Sequence, residues 1–347
     1  MHMPSSRLRR SLAAAVAAVA IALPAAAAPA AAATGTPMPA HVFTPYFETW
    51  TTDNITTIAQ QSGVRYFTLA FVETLSKSSC TLAWNGTSSQ TIPTGRYLSD
   101  IASLRALGGD ITPSFGGWSA DQGGTEIGDS CKTVNSIVAA YELVITTYNV
   151  TRLDMDIEGK SLTNTAGIDR RNKAIKLLQD WATANGRPLQ ISYTLPTTRT
   201  GLEASGLAVI DNAIANGVRI DVVQPMVFDY YDRATTDMGT SAISAVTGLF
   251  GQLKARLPGL TDAQIWAKIG LTIMNGLDDY PKKTEVTTLA NAQTIKDFAV
   301  SKGINTLSMW AIQRDNGGCP GNTGSNNCSG IVQNTWDFSH ILAPFTA

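Results

Sequence analysis

Three acidic residues alternate with apolar residues in a short segment of the chain. Asp154, Asp156 and Glu158 are separated by Met155 and Ile157. Side chains alternate between the two faces of a β-strand, so the three carboxyl groups share one face. Carboxylates crowded on a buried face cannot all ionise, and at least one pKa must rise. The spacing therefore predicts a proton donor. Glu158 holds a proton near neutral pH, Asp156 hydrogen-bonds Glu158 or the substrate, and Asp154 shares or relays the proton.

The segment that carries these acids belongs to a regular series of elements. Eight strand-like apolar runs cover residues 42–47, 66–71, 110–115, 152–157, 189–195, 221–227, 267–273 and 306–311, with amphipathic helical patterns such as 134–148, 166–184, 202–216 and 289–302 between them. This alternation predicts an α/β fold, a single-domain (β/α)8 TIM barrel. A doubly wound open sheet is the alternative. Its first strand would be followed by a Gly-rich phosphate loop, and residues 47–50, Phe-Glu-Thr-Trp, are not one.

The position of the acidic strand decides between two interpretations of its carboxyl groups. On an exposed sheet edge the acids would simply meet water. In a parallel barrel both faces of each strand are covered, and catalytic residues lie at the C-terminal ends of the strands. Because the acidic strand is the fourth of eight, we expect its three acids to line the barrel interior and to act in catalysis.

The acidic strand resembles the D-x-x-D-x-D-x-E signature of glycoside hydrolase family 18, the chitinases, with Thr151 in place of the first Asp. Other segments resemble family motifs in the same order and cover nearly the whole chain after its N-terminus. These are Tyr46 in an aromatic first strand, Ser114-Phe115-Gly116-Gly117 like S-x-G-G at strand three, Met226-Val227-Phe228-Asp229 like M-x-Y-D at strand six, and Met309-Trp310 in strand eight.

The resemblance implies a reaction. Family 18 enzymes retain the anomeric configuration without a separate enzymic nucleophile. Glu158 would protonate the glycosidic oxygen, and the carbonyl oxygen of the substrate's 2-acetamido group would attack the anomeric carbon to give an oxazolinium ion. Asp156 would orient the acetamido N–H, and Glu158 would then act as base for water. The implied substrate is chitin or N-acetylglucosamine oligomers.

The resemblance also implies residues that bind the sugar. Trp310 should stack under the sugar at the cleavage subsite, with packing in the barrel core as the alternative. Asp229 should hydrogen-bond the sugar or Glu158, with a helix N-cap as the alternative. Phe228 lacks the hydroxyl of the usual tyrosine, so another residue must support the acetamido oxygen. The candidates for that role are Tyr230, Tyr193 and Gln224, and the remaining residues expected at the substrate are Met226, Tyr46, Gly116, Gly117 and Trp118, with Trp50 near them.

The connection between the last two predicted strands is short. About 30 residues separate them, which is enough for one helix. The large α+β insertion that deepens the groove in many processive relatives does not fit there. We therefore expect a shallow cleft and endo-type cleavage.

The N-terminus has the features of a secretory signal peptide. Arg7, Arg9 and Arg10 precede an apolar run at 12–23 and small residues up to position 33. The run is shorter than the ~20 residues that span a bilayer, so no membrane association is expected after its removal. The predicted organisation is a signal peptide at 1–33, a short linker at 34–40 and a secreted, extracellular catalytic barrel at 41–347.

Four cysteines follow in the exported part, at Cys80, Cys131, Cys319 and Cys328, and none forms a C-x-x-C motif. An exported chain favours two disulfides over four buried thiols. Three pairings are formally possible. Nearness in sequence favours Cys319–Cys328, which leaves Cys80–Cys131.

Charge and histidine content exclude several classes of function. Three of the 26 basic residues and none of the 27 acidic residues lie in the signal segment, so the remainder carries a net charge of about −4. Without a basic cluster, nucleic-acid binding is not expected. Only His41 and His340 remain for a histidine zinc site or a Ser-His-Asp triad, and both lie at the ends of the barrel sequence. We expect a monomer that needs no metal or cofactor.

Three alternatives share the barrel. A non-catalytic lectin would bind chito-oligosaccharides without cleaving them, but such relatives usually lose the acid that Glu158 provides. An endo-β-N-acetylglucosaminidase acting on N-glycans would use the same acids and differ only in loop shape. A barrel that binds a protein partner would not need the intact Asp154, Asp156 and Glu158.

Overall fold

The structure is a computed structural model that describes His2 and residues 37–346. The chain divides into a unit of residues 1–31 and a unit of residues 32–347, and the elements below belong to the second. The predicted signal peptide lies outside the described residues apart from His2. Within the described part, no helix combines the length and the apolar character needed to cross a membrane.

Eight strands of the described chain form a closed parallel barrel. The strands are β1 (Val42–Phe43 and Tyr46–Glu48), β2 (Tyr66–Thr74), β3 (Asp110–Gly116), β4 (Arg152–Asp156), β5 (Gln190–Thr198), β6 (Val222–Met226), β7 (Gly270–Met274) and β8 (Thr306–Trp310). Each pairs in parallel with its sequence neighbours. The first part of β1 pairs with β8 and its second part with β2, which closes the sheet. The predicted (β/α)8 barrel is confirmed, and the open-sheet alternative is wrong.

A helix follows each strand of the barrel. These helices are α1 (Ile55–Ser62), α2 (Leu98–Ala106), α3 (Val134–Tyr148), α4 (Thr165–Ala184), α5 (Ala204–Ala215), α6 (Met238–Arg256), α7 (Leu289–Lys302) and α8 (Asp337–Leu342). Shorter α-helices occur at Trp118–Gly123, Ile127–Ser130 and Asp262–Trp266, and 3₁₀ helices at Ser88–Gln90, Ile92–Thr94, Gly159–Leu162, Ile312–Arg314 and Ala343–Phe345. Short strands at Leu82–Trp84 and Gly201–Leu202 extend the edges of β2 and β5.

Local sequence explains where the helices begin and end. Thr133 caps α3 by accepting the N–H of Ser136, and Thr288 forms a capping box with Asn291 at the start of α7. Gly303 ends α7 in the left-handed conformation that glycine adopts without a steric penalty. These signals explain why the two predicted helices have the expected bounds.

The two faces of the barrel strands are chemically distinct. Leu153 and Met155 on β4 lie in the apolar core with Ile168, Ile175 and Leu178 of α4. The opposite face of β4 contacts polar residues of the neighbouring strands, all buried. The polar side chains concerned are Ser114, Asp154, Ser192, Thr194 and Gln224, and hydroxyls of Thr44 and Thr68 make a further contact between β1 and β2. The acidic residues of β4 therefore lie in a barrel interior rich in hydroxyl groups.

The connection from β7 to β8 contains two short antiparallel strands, Gly276–Leu277 and Val286–Thr287, and then α7. Residues 275–305 are all described and hold no further domain. The expected absence of a large α+β insertion is therefore confirmed.

Both expected disulfides are present. Cys80–Cys131 joins the loop after β2 to the segment before α3 across 51 residues, and Cys319–Cys328 closes a short loop between β8 and α8. The described chain has no free cysteine, so the alternative of buried thiols is wrong.

Candidate active site

The predicted alternation on β4 places Asp154 and Asp156 on the interior face, with Glu158 directly after the strand. Asp154 lies in register between Ser114 on β3 and Ser192 on β5. Asp154 and Asp156 are buried, and Glu158 is partly exposed. The acids therefore form a ladder that ends at the C-terminal mouth of the barrel, where Glu158 is the most exposed member.

Asp154 is surrounded by hydroxyl groups. Its carboxylate accepts hydrogen bonds from Tyr46 at 2.9 Å, Ser114 at 2.7 Å and Thr194 at 2.8 Å, and a further bond from Ser192. Burial raises the pKa of Asp154, and each of the four donors opposes that rise. Hydrogen bonds to the charged form stabilise it, so Asp154 is the member of the ladder best able to carry the negative charge.

Asp156 has the opposite environment. Burial raises its pKa well above the ordinary range, and the charges of Glu158, Asp154 and Asp121 raise it further. Its Oδ1 atom is buried and has no hydrogen-bond partner among the described residues. The environment of Asp156 therefore favours its protonated form and leaves one oxygen free for a new partner.

Glu158 is suited to donate a proton. Burial raises its pKa to about 7, the backbone N–H of Trp118 lowers it, and the charge of Asp279 raises it. The backbone N–H of Glu158 itself donates to the carboxylate of Asp121. A carboxyl group with a pKa near 7 can both give and take a proton under physiological conditions.

Asp121 was not predicted from the sequence. It lies in the short helix after Gly117, is buried, and its pKa is raised well above the ordinary range, first by burial and then by the charge of Glu126. Its contact with Glu158 joins residues 37 positions apart. A contact of this range leaves no signal in local spacing.

Two glycines at the C-terminal end of β3 permit close packing, Gly116 against β4 and Gly117 against Phe71 of β2. Gly116 and Gly117 have φ values of 101° and 83°, which favour glycine. A Cβ on Gly116 would lie 2.1 Å from the carbonyl oxygen of Asp156, and one on Gly117 would lie 2.6 Å from the ring of Phe71. The structure thus agrees with the close backbone approach expected for both glycines, and it explains why larger residues cannot replace them.

An aromatic wall lies beside the ladder, formed by Tyr46, Trp50, Phe71 and Trp310. The rings of Phe71 and Trp310 stack 5.6 Å apart with an angle of 13° between their planes, and Trp50 lies 6.1 Å from Trp310. The peptide bonds Ala70–Phe71 and Trp310–Ala311 are cis. Trp310 is not fully buried, so its ring can present a face to a sugar. Phe71 was missed because it comes from the interior of an ordinary apolar strand.

Residues 42–283 match the family described as Glycosyl hydrolases family 18. The chain belongs to this family.

Relatives of known sequence and structure agree with this family assignment. The chain is 35% identical over 329 residues to the probable bifunctional chitinase/lysozyme of Escherichia coli (strain K12), covering 90% of the chain and 36% of that protein. It is 35% identical over 294 residues to endochitinase 11 of Metarhizium anisopliae, covering 81% and 54%. The chain thus spans between about a third and about half of the length of these two relatives.

A solved structure is also similar. Catalytic-site mutants of active domain 2 of the thermostable chitinase from Pyrococcus furiosus, complexed with chito-oligosaccharides, superpose with a TM-score of 0.78 at 32% identity, covering 90% of this chain and 96% of that one.

A second acidic group of this family 18 site lies after β6 and β7. Asp229, Asp278 and Glu285 each bring a carboxylate oxygen within 4.8 Å of one another. Asp278 accepts the N–H of Asp229 at 3.0 Å, and Glu285 accepts the N–H groups of Tyr230 at 2.8 Å and Tyr231 at 3.0 Å. Both oxygens of Glu285 and one oxygen of Asp278 thus accept backbone N–H groups of the loop after β6, and these bonds fix that loop.

Asp229 is held in this loop with a left-handed backbone, at φ 50°. Burial raises its pKa to about 7, and the charges of Asp279 and Glu285 add to the rise. The N-cap of α6 is Asp237, so the helix-cap alternative for Asp229 is wrong. Its Oδ1 atom is buried and has no partner among the described residues, so a sugar hydroxyl could bond it.

The three candidates for the missing tyrosine hydroxyl have different positions. Tyr193 is fully buried on the helix-facing side of β5, where its hydroxyl donates to Asn172 of α4 at 3.0 Å. Its proposed contact with substrate is wrong, because Thr194, the next residue, occupies the interior face. Gln224 lies inside the barrel and donates to Thr194 at 3.3 Å. The hydroxyl of Tyr230 is buried and has no partner in the described chain, so Tyr230 remains a candidate for this role.

The remaining expected site residues lie at the mouth or beneath it. Tyr46 bonds Asp154 and is 1% exposed, so it positions the ladder in addition to closing the aromatic wall. Met226 is buried at the end of β6. Trp118 is 61% exposed, and its ring lies 3.5 Å from the place a Cβ on Gly159 would take, next to Glu158. Trp118 is therefore a rim residue and not part of the core.

Proposed function

We propose that this chain is an endo-acting chitinase that hydrolyses β-1,4 linkages between N-acetylglucosamine units by a retaining, substrate-assisted mechanism. The observation that carries the proposal is the ladder on β4. It places a partly exposed Glu158 with a pKa of about 7 next to Asp156, whose pKa is raised by burial and whose Oδ1 atom has no partner among the described residues. The Pyrococcus furiosus domain complexed with chito-oligosaccharides supports this choice of substrate.

In the first step Glu158 transfers its proton to the glycosidic oxygen while the bond to the anomeric carbon breaks. The carbonyl oxygen of the 2-acetamido group forms the new bond to that carbon. Asp156 accepts the acetamido N–H, and its own proton moves toward Asp154. The Asp154–Asp156 pair then carries one negative charge beside the cationic oxazolinium ion, which electrostatic preorganisation stabilises.

In the second step the Glu158 carboxylate takes a proton from water, and the water oxygen attacks the anomeric carbon. The oxazolinium ring opens and the acetamido group is restored. Two inversions at one carbon give net retention. Glu158 ends protonated, ready for the next cycle, and a pKa near 7 allows both directions of proton transfer.

The rest of the site supports sugar binding. Trp310 and Phe71 supply a stacked aromatic wall, while Asp229 and Tyr230 offer polar atoms that lack protein partners. The short β7–β8 connection favours a shallow cleft open at both ends and therefore endo-type cleavage. The proposal includes secretion as a monomer after removal of residues 1–33.

Wild type and Glu158→Gln, each incubated with N-acetylglucosamine oligomers and with an N-glycosylated protein, test the proposal. We expect wild type alone to release products, and from the oligomers only. Release from the glycoprotein would instead indicate an endo-β-N-acetylglucosaminidase. Binding of oligomers without release by wild type would indicate a lectin.

A further inference from the structure

A cavity of about 900 Å³ lies between α1 and the segment that connects β8 to α8. This volume is within the range of small-ligand sites. We call it the amide groove. Its lining residues are Thr52, Asp53, Asn54, Thr57, Ile58, Gln61, Gln313, Asn316, Gly317, Gly318, Asn327, Gln333, Asn334, Thr335 and Trp336.

The chemistry of the amide groove fits a neutral, hydroxyl-rich ligand. Seven of its fifteen lining residues carry side-chain amides, Asp53 is the one charged residue among them, and Trp336 supplies an aromatic ring. Each amide presents a donor and an acceptor, which matches sugar hydroxyls and acetamido groups. Because no basic side chain lines the groove, an anionic ligand would find no counter-charge there.

Internal bonds fix the walls of the groove. Gln313 accepts the N–H of Glu48 at 3.1 Å, and Asn316 donates to the carbonyl of Asn327 at 2.7 Å. Gln333 donates to Asp315 at 2.7 Å, while its Oε1 atom is buried and has no partner among the described residues. The wall is thus ordered, with an acceptor still free for a ligand.

The groove begins next to the aromatic wall of the active site. Thr52 follows Trp50 by two residues, and Gln313 follows Trp310 by three. Trp50 is 46% exposed and lies 6.1 Å from Trp310. The chain segments that lead from β1 and β8 therefore form first the aromatic wall and then the groove.

We propose that the amide groove is an additional binding site for N-acetylglucosamine oligomers, occupied by sugars of a long substrate beyond those at the aromatic wall. The proposal rests on the proposed function for the identity of the sugar. It predicts that the groove increases affinity for long oligomers and for the polymer and leaves short oligomers unaffected.

The test uses the Glu158→Gln chain, to prevent turnover, and compares binding of an N-acetylglucosamine hexamer and a trimer by calorimetry. Gln61→Ala combined with Asn334→Ala removes two exposed groove amides. The matched control is Gln60→Ala, because Gln60 is an exposed glutamine on α1 that does not line the groove. We expect the double variant to bind the hexamer about thirtyfold more weakly, since it loses two hydrogen bonds of about 1 kcal/mol each, and to bind the trimer unchanged.

Equal hexamer affinity in the double variant and the Gln60→Ala control would overturn the proposal, as would an equal loss for hexamer and trimer. Gln60, Gln61 and Asn334 are all exposed. Equal unfolding midpoints of the double variant and the Gln60→Ala control confirm that the fold is intact. Hydrolysis of the trimer by the wild-type chain tests the proposed function separately, so the two failures are distinguishable.

Discussion

The hydroxyl cage around Asp154 makes a specific prediction for Ser114→Ala. Ser114 donates one hydrogen bond to Asp154 at 2.7 Å and is completely buried. The variant removes that donor and leaves Tyr46, Ser192 and Thr194 in place. Because the lost bond stabilised the ionised form, the pKa of the Asp154–Asp156 pair must rise.

The size of the effect follows from the energy of one bond to a charged group. Such a bond contributes about 1.5–3 kcal/mol, and a pKa changes by one for each ~1.4 kcal/mol. In the mechanism above, activity is lost at low pH when the pair binds a second proton and loses its negative charge. We therefore expect the acid limb of the kcat/KM profile to move up by about one to two pH units.

The alkaline limb provides an internal reference. It reports the proton on Glu158, whose pKa is raised to about 7, and activity falls as the pH rises through that value. Initial rates on an N-acetylglucosamine oligomer between pH 3 and 9 measure both limbs. Thr112→Val is the control, because Thr112 is buried two residues earlier on the same face of β3 and its hydroxyl has no partner in the described chain. If the acid limb of Ser114→Ala stays at the wild-type pH, as that of Thr112→Val should, the reasoning is refuted.

Further predictions concern stability and the loop after β6. Burial raises the pKa of Glu48 from 4.5 to about 8, so the native state binds more protons than the unfolded state between those values. Stability should then fall by up to about 5 kcal/mol as the pH rises from 4.5 to 8. Urea unfolding at pH 5 and pH 8 measures this change, and the free energy of unfolding of Glu48→Gln should fall less between the two pH values than that of wild type. An equal fall in the two proteins would contradict the prediction. Glu285→Gln should lower kcat/KM at least about tenfold by weakening a charge-assisted anchor of the loop, whereas Asp232→Asn, exposed in the same loop, should not. If the two variants behave alike, the anchor role is wrong. Replacing Cys80 and Cys131 together by serine opens a 51-residue loop and should lower the free energy of unfolding by about 4 kcal/mol. A loss below about 1 kcal/mol in calorimetry would contradict the loop-closure account.

Features with a local period could be predicted from the sequence. The barrel follows from regular alternation of apolar runs and helical patterns, and the shared face of Asp154 and Asp156 follows from the period of a strand. The same rule would have excluded Tyr193. It lies between Ser192 and Thr194, whose hydroxyls both reach Asp154 inside the barrel.

Features that depend on distant contacts could not be predicted. Asp278 and Glu285 come from the β7–α7 connection and bind a loop about 50 residues earlier in the chain. Asp121 reaches Glu158 from another connection, and Phe71 joins the aromatic wall from an apolar strand. Each depends on barrel closure, which brings loops together without leaving a pattern in any one of them.

The most direct test of the mechanism compares two oligomers of equal length and linkage, one N-acetylated and one fully deacetylated. If the substrate's own amide is the nucleophile, the acetylated oligomer is cleaved with retention at the new reducing end, as NMR of fresh product would show. The deacetylated oligomer should then react slower by a factor on the order of 10⁵, the scale of a lost intramolecular nucleophile. Comparable cleavage of both oligomers, or inversion of the product, would contradict the account.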